Sequence, residues 1–304
     1  HLSLCVRNDI TRYDFDRMAA LPAHTLYLDE DRSSEPEETL EFFCDVFEQD
    51  YAFFDLRGVA WKEACAAARS NIDSESSPEA LFSELHALIK PLGDNHVILS
   101  DGKQLVSSEA IGEIKALIQD KLGLRSASIG DPVNIARIRS FINREFLDSA
   151  GSSAGNGVIN WGMIAPDVAY LNVLKLFGLA DTEEARAASD LPPRRADHAR
   201  FLRDDLDATE LIMDRVMADL GQAGSIILDV RLNGGGFDNL GMTIAGRFSD
   251  RKHLAFTKQA RHGSGVTPLQ KFFVEPKGDS QFTRPVYVLT SAPSPPPTAL
   301  TFPL

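Results

Sequence analysis

The segment Ser225-Ile-Ile-Leu-Asp-Val-Arg-Leu-Asn-Gly-Gly-Gly-Phe-Asp-Asn-Leu240 decides the fold of this 304-residue chain. Residues 226–230 are apolar apart from Asp229, and such a run is typical of a strand covered on both faces, as in a parallel sheet flanked by helices. After the three glycines, Asp238 can cap a helix. The apolar face of that helix would hold Leu240, Ile244 and Phe248. The segment therefore predicts a strand, a glycine turn and a helix in that order.

The glycine turn, Gly234 to Gly236, lies where a strand ends and a helix begins, so its backbone N–H groups favour a negative charge. A plain tight turn is the alternative. A phosphate-binding P-loop requires Gly-Lys followed by Ser or Thr, but Phe237 follows Gly236. A dinucleotide fingerprint requires a further glycine where Asn239 stands. The remaining use is an oxyanion hole, in which N–H groups stabilise the carbonyl oxygen that becomes charged during acyl transfer.

The composition is that of a globular protein with a sizeable core, since 43% of the residues are hydrophobic. The chain has 44 acidic and 31 basic residues, and its formal charge of -13 would repel nucleic acid and anionic lipid surfaces. We therefore expect neither as a partner. No apolar run approaches the ~18 residues of a membrane span, and no signal peptide opens the chain. Because the first residue is His1 rather than Met, the missing signal peptide says little about export.

The three cysteines, Cys5, Cys44 and Cys65, do not have the spacing of metal ligands. Their odd number cannot form a complete set of disulfides. Cys44 and Cys65 both fall on apolar helical faces, which predicts buried free thiols. We expect neither a metal ion nor a cofactor.

Residues 15–92 have a helical pattern and predict an N-terminal helical subdomain. The dipeptide Ser77-Pro78 is a helix start signal, and this helix should stop near Gly93. The turn that follows delivers His96 to a short strand, Val97 to Leu99, where its side chain could face a cleft. A surface or hydrogen-bonded structural histidine is the alternative.

The middle of the chain predicts one amphipathic helix around residues 111–122 and a second around residues 135–146. The segment Ser149 to Gly157 consists mostly of small residues and predicts a flexible connector at a domain boundary. We therefore predict a helical subdomain over residues 1–100, a helical and linker region over 101–157, and an α/β core over 158–304.

The rest of the chain alternates helices and strands. Val168 to Leu174 predicts a strand, Ala180 to Arg203 a polar surface loop or lid, and Ile212 to Leu220 a helix that leads into the strand of the opening segment. This order is a crossover α/β unit and favours a mainly parallel sheet. Arg284 to Thr290 predicts another buried strand. Ala292 to Thr298 contains four prolines and suits neither a strand nor a helix interior.

Asp229-Val-Arg-Leu-Asn-Gly-Gly-Gly236 resembles the signature of the C-terminal processing, or tail-specific, serine peptidases, a family that includes the tricorn core protease. Three further segments agree with that family in order, namely Tyr51 to Trp61, Leu92 to Val97 and Val168 to Leu174. The resemblance covers most of residues 40–290. It implies a crotonase-like α/β core with a mainly parallel sheet and flanking helices, preceded by the helical subdomain. It also implies a serine endopeptidase that hydrolyses peptide bonds through an acyl-enzyme.

The resemblance assigns roles to the residues that match the family's motifs. His96 matches the general base of tricorn-like members, whereas other branches use a lysine further downstream. Gly235 and Gly236 match the glycine turn whose N–H group helps to bind the oxyanion. Asp229 and Arg231 match a charged pair that we expect to hold this turn in shape. A peptide or protein is the implied substrate, and an extracytoplasmic location follows by family analogy alone. Nothing in the sequence indicates the oligomeric state.

The sequence departs from the family at the nucleophile. Members carry a Thr-x-Ser-Ala-Ala-Glu type of turn after the strand that matches Val286 to Thr290, and here Pro296 takes the position of the serine. Ser291 and Ser294 are the nearby hydroxyls, and Ser294 is a weak nucleophile candidate. We therefore expect a chain that is truncated or frame-shifted within this motif, so that the core over residues 158–304 is incomplete at its C-terminal end.

Two further features of the family are missing from the sequence. No PDZ pattern is recognisable between residues 101 and 160, and the later acidic residue that orients the histidine in tricorn-like members is absent. The alternative function is a non-catalytic protein that binds an apolar ligand on the same fold, as the retinoid-binding relatives of this family do. An active-site-directed fluorophosphonate separates the two hypotheses, because it labels an activated serine.

Overall fold

The computed structural model describes residues 2–5, 12–15, 19, 35–94, 96–108, 120, 123, 132–147, 151–187 and 198–290, and for residues 2–5, 12–15, 184 and 262 it describes the backbone alone. The chain divides into two compact units. The sheet unit comprises residues 1–15, 112–256 and 271–304, and the helical unit comprises residues 16–111 and 257–270. The three predicted domains, with boundaries at residues 100 and 157, stay a prediction.

Helices and short strands alternate along the chain. The helices are α1 (Pro36–Asp50), α2 (Phe54–Arg57), α3 (Trp61–Ala68), α4 (Pro78–Ile89), α5 (Pro132–Glu145), α6 (Glu183–Ala187), α7 (His198–Leu220) and α8 (Asp238–Ala245). Short 3-10 turns follow α4 at Lys90–Leu92 and α8 at Gly246–Phe248. The strands are β1 (Leu2–Cys5), β2 (Arg12–Phe15), β3 (Ile98–Ser100), β4 (Leu105–Ser107), β5 (Ser152–Ala154), β6 (Ile159–Ala165), β7 (Val168–Val173), β8 (Ser225–Asp229), β9 (His253–Lys258), β10 (Arg261–His262), β11 (Gly265–Val266), β12 (Gln270–Val274) and β13 (Val286–Leu289). None of the described helices is long and apolar enough to cross a membrane.

Helix α4 shows how the sequence sets the limits of a helix in the helical unit. Ser77 precedes its first turn and accepts a hydrogen bond of 3.2 Å from the N–H of Ala80, so the side chain caps an N–H group that has no partner within the helix. The chain reverses at Gly93, whose φ of 55° lies in the left-handed region that favours glycine. The predicted start and stop of this helix are confirmed.

The core of the helical unit is built around Trp61. Its ring stacks on Phe47 of α1 with 5.0 Å between the centroids and on Phe54 of α2 with 5.1 Å. Its Nε1 donates a hydrogen bond of 3.0 Å to the carbonyl oxygen of Cys44. One indole therefore ties α1, α2 and α3 together and satisfies its own polar atom. The remaining buried members of this core are Leu40, Cys65, Ala68, Ile72, Leu85, Leu88, Ile89 and Leu92.

Cys44 of α1 and Cys65 of α3 form a disulfide across 21 residues of sequence, with their Cα atoms 6.1 Å apart. The prediction that both are buried is confirmed, since they are 3% and 2% exposed, but the prediction that they are free thiols is wrong. An odd number of cysteines excludes a complete set of disulfides and still allows one pair. The packing of α1 against α3 brings the two sulfur atoms together, and no spacing rule along the sequence reveals that contact.

The central sheet of the sheet unit has five strands in the order β13-β8-β7-β6-β5. β8 runs parallel to both β7 and β13, whereas β6 is antiparallel to both β7 and β5. The sheet predicted to be mainly parallel is therefore mixed. The physical reason is the length of the connections: α7 crosses over between β7 and β8, whereas the turns on either side of β6 are so short that they allow only antiparallel hairpins.

The segment predicted to be a flexible connector, Ser149 to Gly157, forms a hairpin over its described part, so that prediction is wrong. Ser152–Ala154 is strand β5, which pairs with the start of β6. A turn over residues 155–158 joins the two strands. Asn156 and Gly157 have positive φ values of 57° and 86° in this turn. Residues that we expected to be too small for a core therefore make a tight turn between paired strands.

Other predicted elements follow the sequence closely. The strands predicted over residues 168–174 and 284–290 are β7 and β13, and the helix predicted around residues 135–146 is α5. The prediction that the second strand is buried is wrong, because β13 lies at the edge of the described sheet and its Tyr287 is 60% exposed. The opening segment gives β8 and α8. The N-cap of α8 is Phe237, so Asp238 is the first helical residue rather than the cap, and its charge lies where the helix dipole favours an anion.

Three predicted segments are described only in part or not at all. Within the loop predicted over residues 180–203, α6 is present and α7 already begins at His198. Of the helix predicted around residues 111–122 only residue 120 is described, and it is helical. The proline-rich segment 292–298 lies outside the described residues.

Asp205 is a buried carboxylate that fixes the loop after β7. It lies on α7 and is 0% exposed. Its oxygens accept hydrogen bonds from the backbone N–H of Gly178 at 2.6 Å and from those of Leu179 and Ala180 at 2.8 Å. Burial raises the pKa of Asp205, and the three hydrogen bonds offset part of that rise by stabilising the ionised form. One side chain of a helix therefore orders the loop.

We expect Asp205→Ala to lower the free energy of unfolding by at least ~3 kcal/mol, because three buried N–H groups lose their acceptor. The matched control is Asp207→Ala, at an exposed position on the same helix, which should change stability by less than ~0.5 kcal/mol. Urea unfolding followed by circular dichroism measures both variants. Equal effects of the two substitutions would contradict this role of Asp205.

The disulfide predicts how many thiols can be alkylated. Protein denatured without reductant should take up one iodoacetamide label, and three after reduction, because Cys44 and Cys65 are bonded and the chain has three cysteines. Reduction should also lower the free energy of unfolding by about 3 kcal/mol, the loop-closure entropy expected for this sequence separation. Three labels without reductant would refute the bond.

Candidate active site

The turn between α4 and β3 is closed by Asp94 and Ser108. The N–H of Asp94 donates a hydrogen bond of 2.7 Å to Ser108 Oγ, and this hydroxyl donates one of 2.5 Å to the carbonyl oxygen of Asp94. The N–H of Ser108 donates to the carbonyl oxygen of Val97 at 3.2 Å. These bonds join the two ends of the β3–β4 hairpin and fix the backbone that carries His96.

His96 is held to Asp94 through two of its nitrogen atoms. Its backbone N–H donates to Asp94 Oδ1 at 3.0 Å, and its ring nitrogen Nδ1 lies 3.2 Å from the same oxygen. When Nδ1 carries the proton, the ring donates to the carboxylate and Nε2 keeps its lone pair on the other side of the ring. The His96 side chain is 57% exposed and that of Asp94 is 7% exposed. An accessible basic nitrogen backed by a buried carboxylate suits general-base catalysis.

The Asp94 carboxylate is itself held by Tyr51 and Arg57. The Tyr51 hydroxyl donates to Asp94 Oδ2 at 3.0 Å, and Arg57 Nη2 lies 3.9 Å from the same oxygen. Burial would raise the pKa of Asp94, but the hydrogen bonds from His96 and Tyr51 together outweigh it and leave the pKa below its ordinary value. Burial and then the hydrogen bond to Asp94 raise the pKa of Tyr51 to about 12. Asp94 is therefore ionised and Tyr51 protonated at neutral pH.

Asp94 is a partner of His96 that was not predicted from the sequence. The structure shows this carboxylate two positions before the histidine. The local signal was present in Asp94-x-His96, because aspartates in turns accept a hydrogen bond from the N–H two residues further on.

The glycine turn continues the sheet beyond the ends of β7 and β8. The N–H of Gly234 donates to the carbonyl oxygen of Leu174 at 2.8 Å. The N–H of Leu176 donates to the carbonyl oxygen of Gly235 at 2.7 Å. A side chain at Gly236 would not fit, since its Cβ would lie 2.5 Å from the Leu176 carbonyl oxygen and its φ is 138°. Close approach of two backbones therefore requires glycine at this position.

The N–H groups of the glycine turn differ in what they offer to a ligand. Those of Gly234 and Gly235 are engaged, the second in a hydrogen bond of 2.7 Å to Asn233 Oδ1. The N–H of Gly236 has no acceptor among the described residues, and Gly236 is exposed. Of the two glycines predicted to be oxyanion donors, Gly236 therefore presents a free N–H and Gly235 does not.

Asp229 and Arg231 make the charged contact predicted at the start of this turn. Arg231 donates to the carboxylate from Nε at 3.0 Å and Nη2 at 2.8 Å, and its backbone N–H donates at 3.0 Å. The Tyr170 hydroxyl of β7 donates to the same carboxylate at 2.6 Å. Burial and then the charge of Asp229 raise the pKa of Tyr170, so its hydroxyl stays protonated. The network ties the end of β8 to β7 beside the glycine turn.

The remaining predicted site residue, Ser294, lies outside the described residues, as do Ser291 and Pro296. His96 belongs to the helical unit, and Gly235 and Gly236 belong to the sheet unit. No group of three or more His, Cys, Asp and Glu side chains among the described residues could hold a metal ion. Among the described residues, His96 thus presents an accessible imidazole, and Gly236 presents an exposed N–H group that has no acceptor among them.

Comparison with known proteins identifies a family over part of the chain. Residues 206–294 match the profile of Peptidase family S41, the family of the C-terminal processing peptidases. These residues include β8, the glycine turn, α8 and β13, so the family recognised from the signature is confirmed over this segment. No curated protein matches the chain.

One of the solved structures that resemble this chain has a similar fold. A candidate peptidase from Parabacteroides merdae ATCC 43184 superposes with a TM-score of 0.57 at 18% identity, over 85% of this chain and 68% of its own. This likeness supports a mixed α/β fold with a central sheet and helices. Mature CPAF complexed with lactacystin has a TM-score of 0.47 at 11% identity, over 84% of this chain and 79% of its own. The photosystem II D1 C-terminal processing protease has a TM-score of 0.33 at 11% identity, over 90% of this chain and 77% of its own.

The lowered pKa of Asp94 predicts a pH dependence of stability. A carboxylate whose pKa is lower in the folded state than in the unfolded state stabilises the fold at pH values above its unfolded-state pKa, which is near 3.8. That stabilisation is lost as the pH falls through the folded-state pKa. We therefore expect Asp94→Asn to lower the free energy of unfolding by about 2 kcal/mol at neutral pH, and by progressively less below pH ~4. Urea unfolding of both proteins between pH 7 and pH 3 measures the difference.

Tyr51→Phe provides a second check on this pH dependence, because it removes one of the hydrogen bonds that lower the pKa of Asp94. In the Tyr51→Phe background, the effect of Asp94→Asn on the free energy of unfolding should depend less on pH than in the wild type, but the dependence should not vanish. A difference between the wild type and Asp94→Asn that stays constant from pH 7 to pH 3 would contradict the assigned cause.

Proposed function

We propose that this chain, whose residues 206–294 carry a segment of peptidase family S41, is a serine-type endopeptidase of the tail-specific kind that cleaves a peptide or protein through an acyl-enzyme. The observation that carries the proposal is the His96 ring, which is accessible to solvent and bonded through Nδ1 to the buried carboxylate of Asp94. A serine hydroxyl is a weak nucleophile until such a base takes its proton. We also propose that residues 158–304 form a crotonase-like core.

In the proposed reaction, His96 Nε2 takes the proton of the serine hydroxyl as its oxygen attacks the carbonyl carbon of the peptide bond. The electron pair of the carbonyl moves to its oxygen, and the N–H of Gly236 donates to the resulting oxyanion. The tetrahedral intermediate then collapses and expels the amine, which receives the proton from His96. Water repeats these steps on the acyl-enzyme and releases the acid, with His96 as the base.

Asp94 has two roles in this scheme. Its Oδ1 accepts the hydrogen bond from Nδ1, which fixes the tautomer in which Nε2 is the basic nitrogen. Its pKa lies below the ordinary value, so it stays ionised and stabilises the imidazolium that forms when Nε2 is protonated. In the proposed reaction Asp94 thus both orients His96 and stabilises its charged form.

Ser294 is the proposed nucleophile, with Ser291 as the neighbouring candidate. The rival function, an apolar-ligand-binding protein without catalysis, is favoured by one observation, because Pro296 stands where the family has its serine. We further propose an extracytoplasmic location, which the Cys44–Cys65 disulfide supports, since such bonds persist in oxidising compartments.

Labelling with a fluorophosphonate, followed by mass spectrometric mapping of the modified serine, tests the proposed function. We expect one labelled serine, at Ser294, and a labelling rate at least ~100-fold lower in His96→Ala because the serine loses its base. The matched control is His86→Ala, on α4, which should label at the wild-type rate.

The labelling experiment has three contrary outcomes. Unchanged labelling of His96→Ala would remove His96 from the mechanism. A label at another serine would exclude Ser294 as the nucleophile. A lack of labelling under conditions in which the wild-type fold is intact would exclude the peptidase and leave the ligand-binding alternative.

A further inference from the structure

An open groove of about 300 Å³ lies in the helical unit beside His96. The last turns of α1 form one side with Val46, Phe47 and Asp50, and the start of β3 forms the other with Ile98. We propose that this groove is a subsite for an apolar side chain of the peptide substrate. The inference rests on the proposed peptidase function and adds to it the class of residue that the enzyme selects.

The walls of the groove are mainly apolar. Val46 and Phe47 line it from α1, and Val97 and Ile98 line it from the strand side. Ile98 is 37% exposed, so water now covers part of a surface that an apolar group could cover. The volume is at the lower end of the ~300–1,000 Å³ found for ligand pockets, which gives room for the side chain of a leucine or a phenylalanine.

The α1 side of the groove is fixed before any ligand arrives. Phe47 stacks on Trp61 with 5.0 Å between the ring centroids. Cys44, which precedes Phe47 by less than one turn of α1, forms the disulfide that ties α1 to α3. Tyr51, which also lines the groove, is bonded to Asp94 through its hydroxyl. A rigid wall requires little ordering when a side chain binds, which favours affinity.

The charges around the groove select against an acidic side chain. Asp50 is the last residue of α1, and this helix has no basic residue in its last turn. The carbonyl groups at a helix C-terminus add to the negative potential. Asp50 therefore disfavours an aspartate or glutamate of the substrate, and Arg261, whose Nη1 donates to the carbonyl oxygen of Tyr51 at 3.0 Å, offsets only part of that negative potential. An apolar side chain carries no charge that Asp50 could repel.

The position of the groove ties it to the reacting peptide bond. His96 lines the groove, and the proposed function makes its Nε2 the atom that accepts and returns the proton at the cleaved bond. A side chain bound there belongs to a residue close to that bond. The groove therefore governs which residue lies next to the site of cleavage.

The test titrates the full-length chain, with 13C-labelled Ile and Val methyl groups, with the N-acetyl amides of Phe, Leu, Ala and Asp. We expect saturable shifts of the Val46, Val97 and Ile98 methyl signals with the Phe and Leu compounds. Binding should be at least ~10-fold tighter than for the Ala compound, the discrimination typical of an apolar pocket, and the Asp compound should give no saturable shift.

A matched pair of variants locates the binding. Ile98→Thr keeps a β-branched residue in the strand and removes apolar surface, so it should weaken binding of the Phe compound by at least ~3-fold. Leu105→Thr changes a 63% exposed residue on the neighbouring strand β4 and should leave binding unchanged.

Two results would overturn the subsite. One is the lack of a saturable shift at Val46, Val97 and Ile98 with the Phe compound, and the other is equal binding of the Ala and Phe compounds. Fluorophosphonate labelling separates this failure from that of the proposed function. A labelled serine with an unresponsive groove retains the peptidase and rejects the subsite, whereas a groove that binds the Phe compound without any labelled serine retains a ligand site and rejects the peptidase.

Discussion

The ionised carboxylate of Asp94 is the group on which the candidate chemistry of the helical unit depends. The Asp94 side chain is 7% exposed, and an unpaired charge at that depth would be strongly unfavourable. The turn before β3, the His96 ring and the Tyr51 hydroxyl all converge on it. Tyr51 follows the last residue of α1, so the stack of Phe47 on Trp61 and the disulfide at Cys44 also serve the histidine, because they fix the helix from which Tyr51 reaches Asp94.

The sheet unit uses the same local arrangement at Asp229. Each of the two aspartates accepts hydrogen bonds from the backbone N–H and the side chain of the residue two positions on, and from a tyrosine hydroxyl. The two arrangements differ in the residue that stands two positions after the aspartate. Arg231 is permanently charged and can only hold the turn, whereas His96 can give up and regain a proton. One arrangement therefore shapes the glycine turn, and the other presents a base.

The sequence allowed the elements around the glycine turn to be predicted, because their signals are local. Apolar runs gave β7, β8 and β13, and the helical spacing after the glycines gave α8. The features that were missed depend on groups distant in sequence or on the direction of one side chain. Tyr51 is 43 residues from Asp94, and Cys44 is 21 residues from Cys65. Whether Gly235 or Gly236 offers a free N–H depends on where the Asn233 amide points.

The proposed mechanism requires that Asp94 fixes the tautomer of His96 so that Nε2 is the free base. Long-range 1H–15N NMR of the uniformly labelled chain at pH ~8.5, where imidazoles are ordinarily neutral, reports which ring nitrogen carries the proton. We expect that Nδ1 of His96 is protonated and that Nε2 has the chemical shift of an unprotonated nitrogen. A proton on Nε2, with Nδ1 unprotonated beside Asp94, would contradict it.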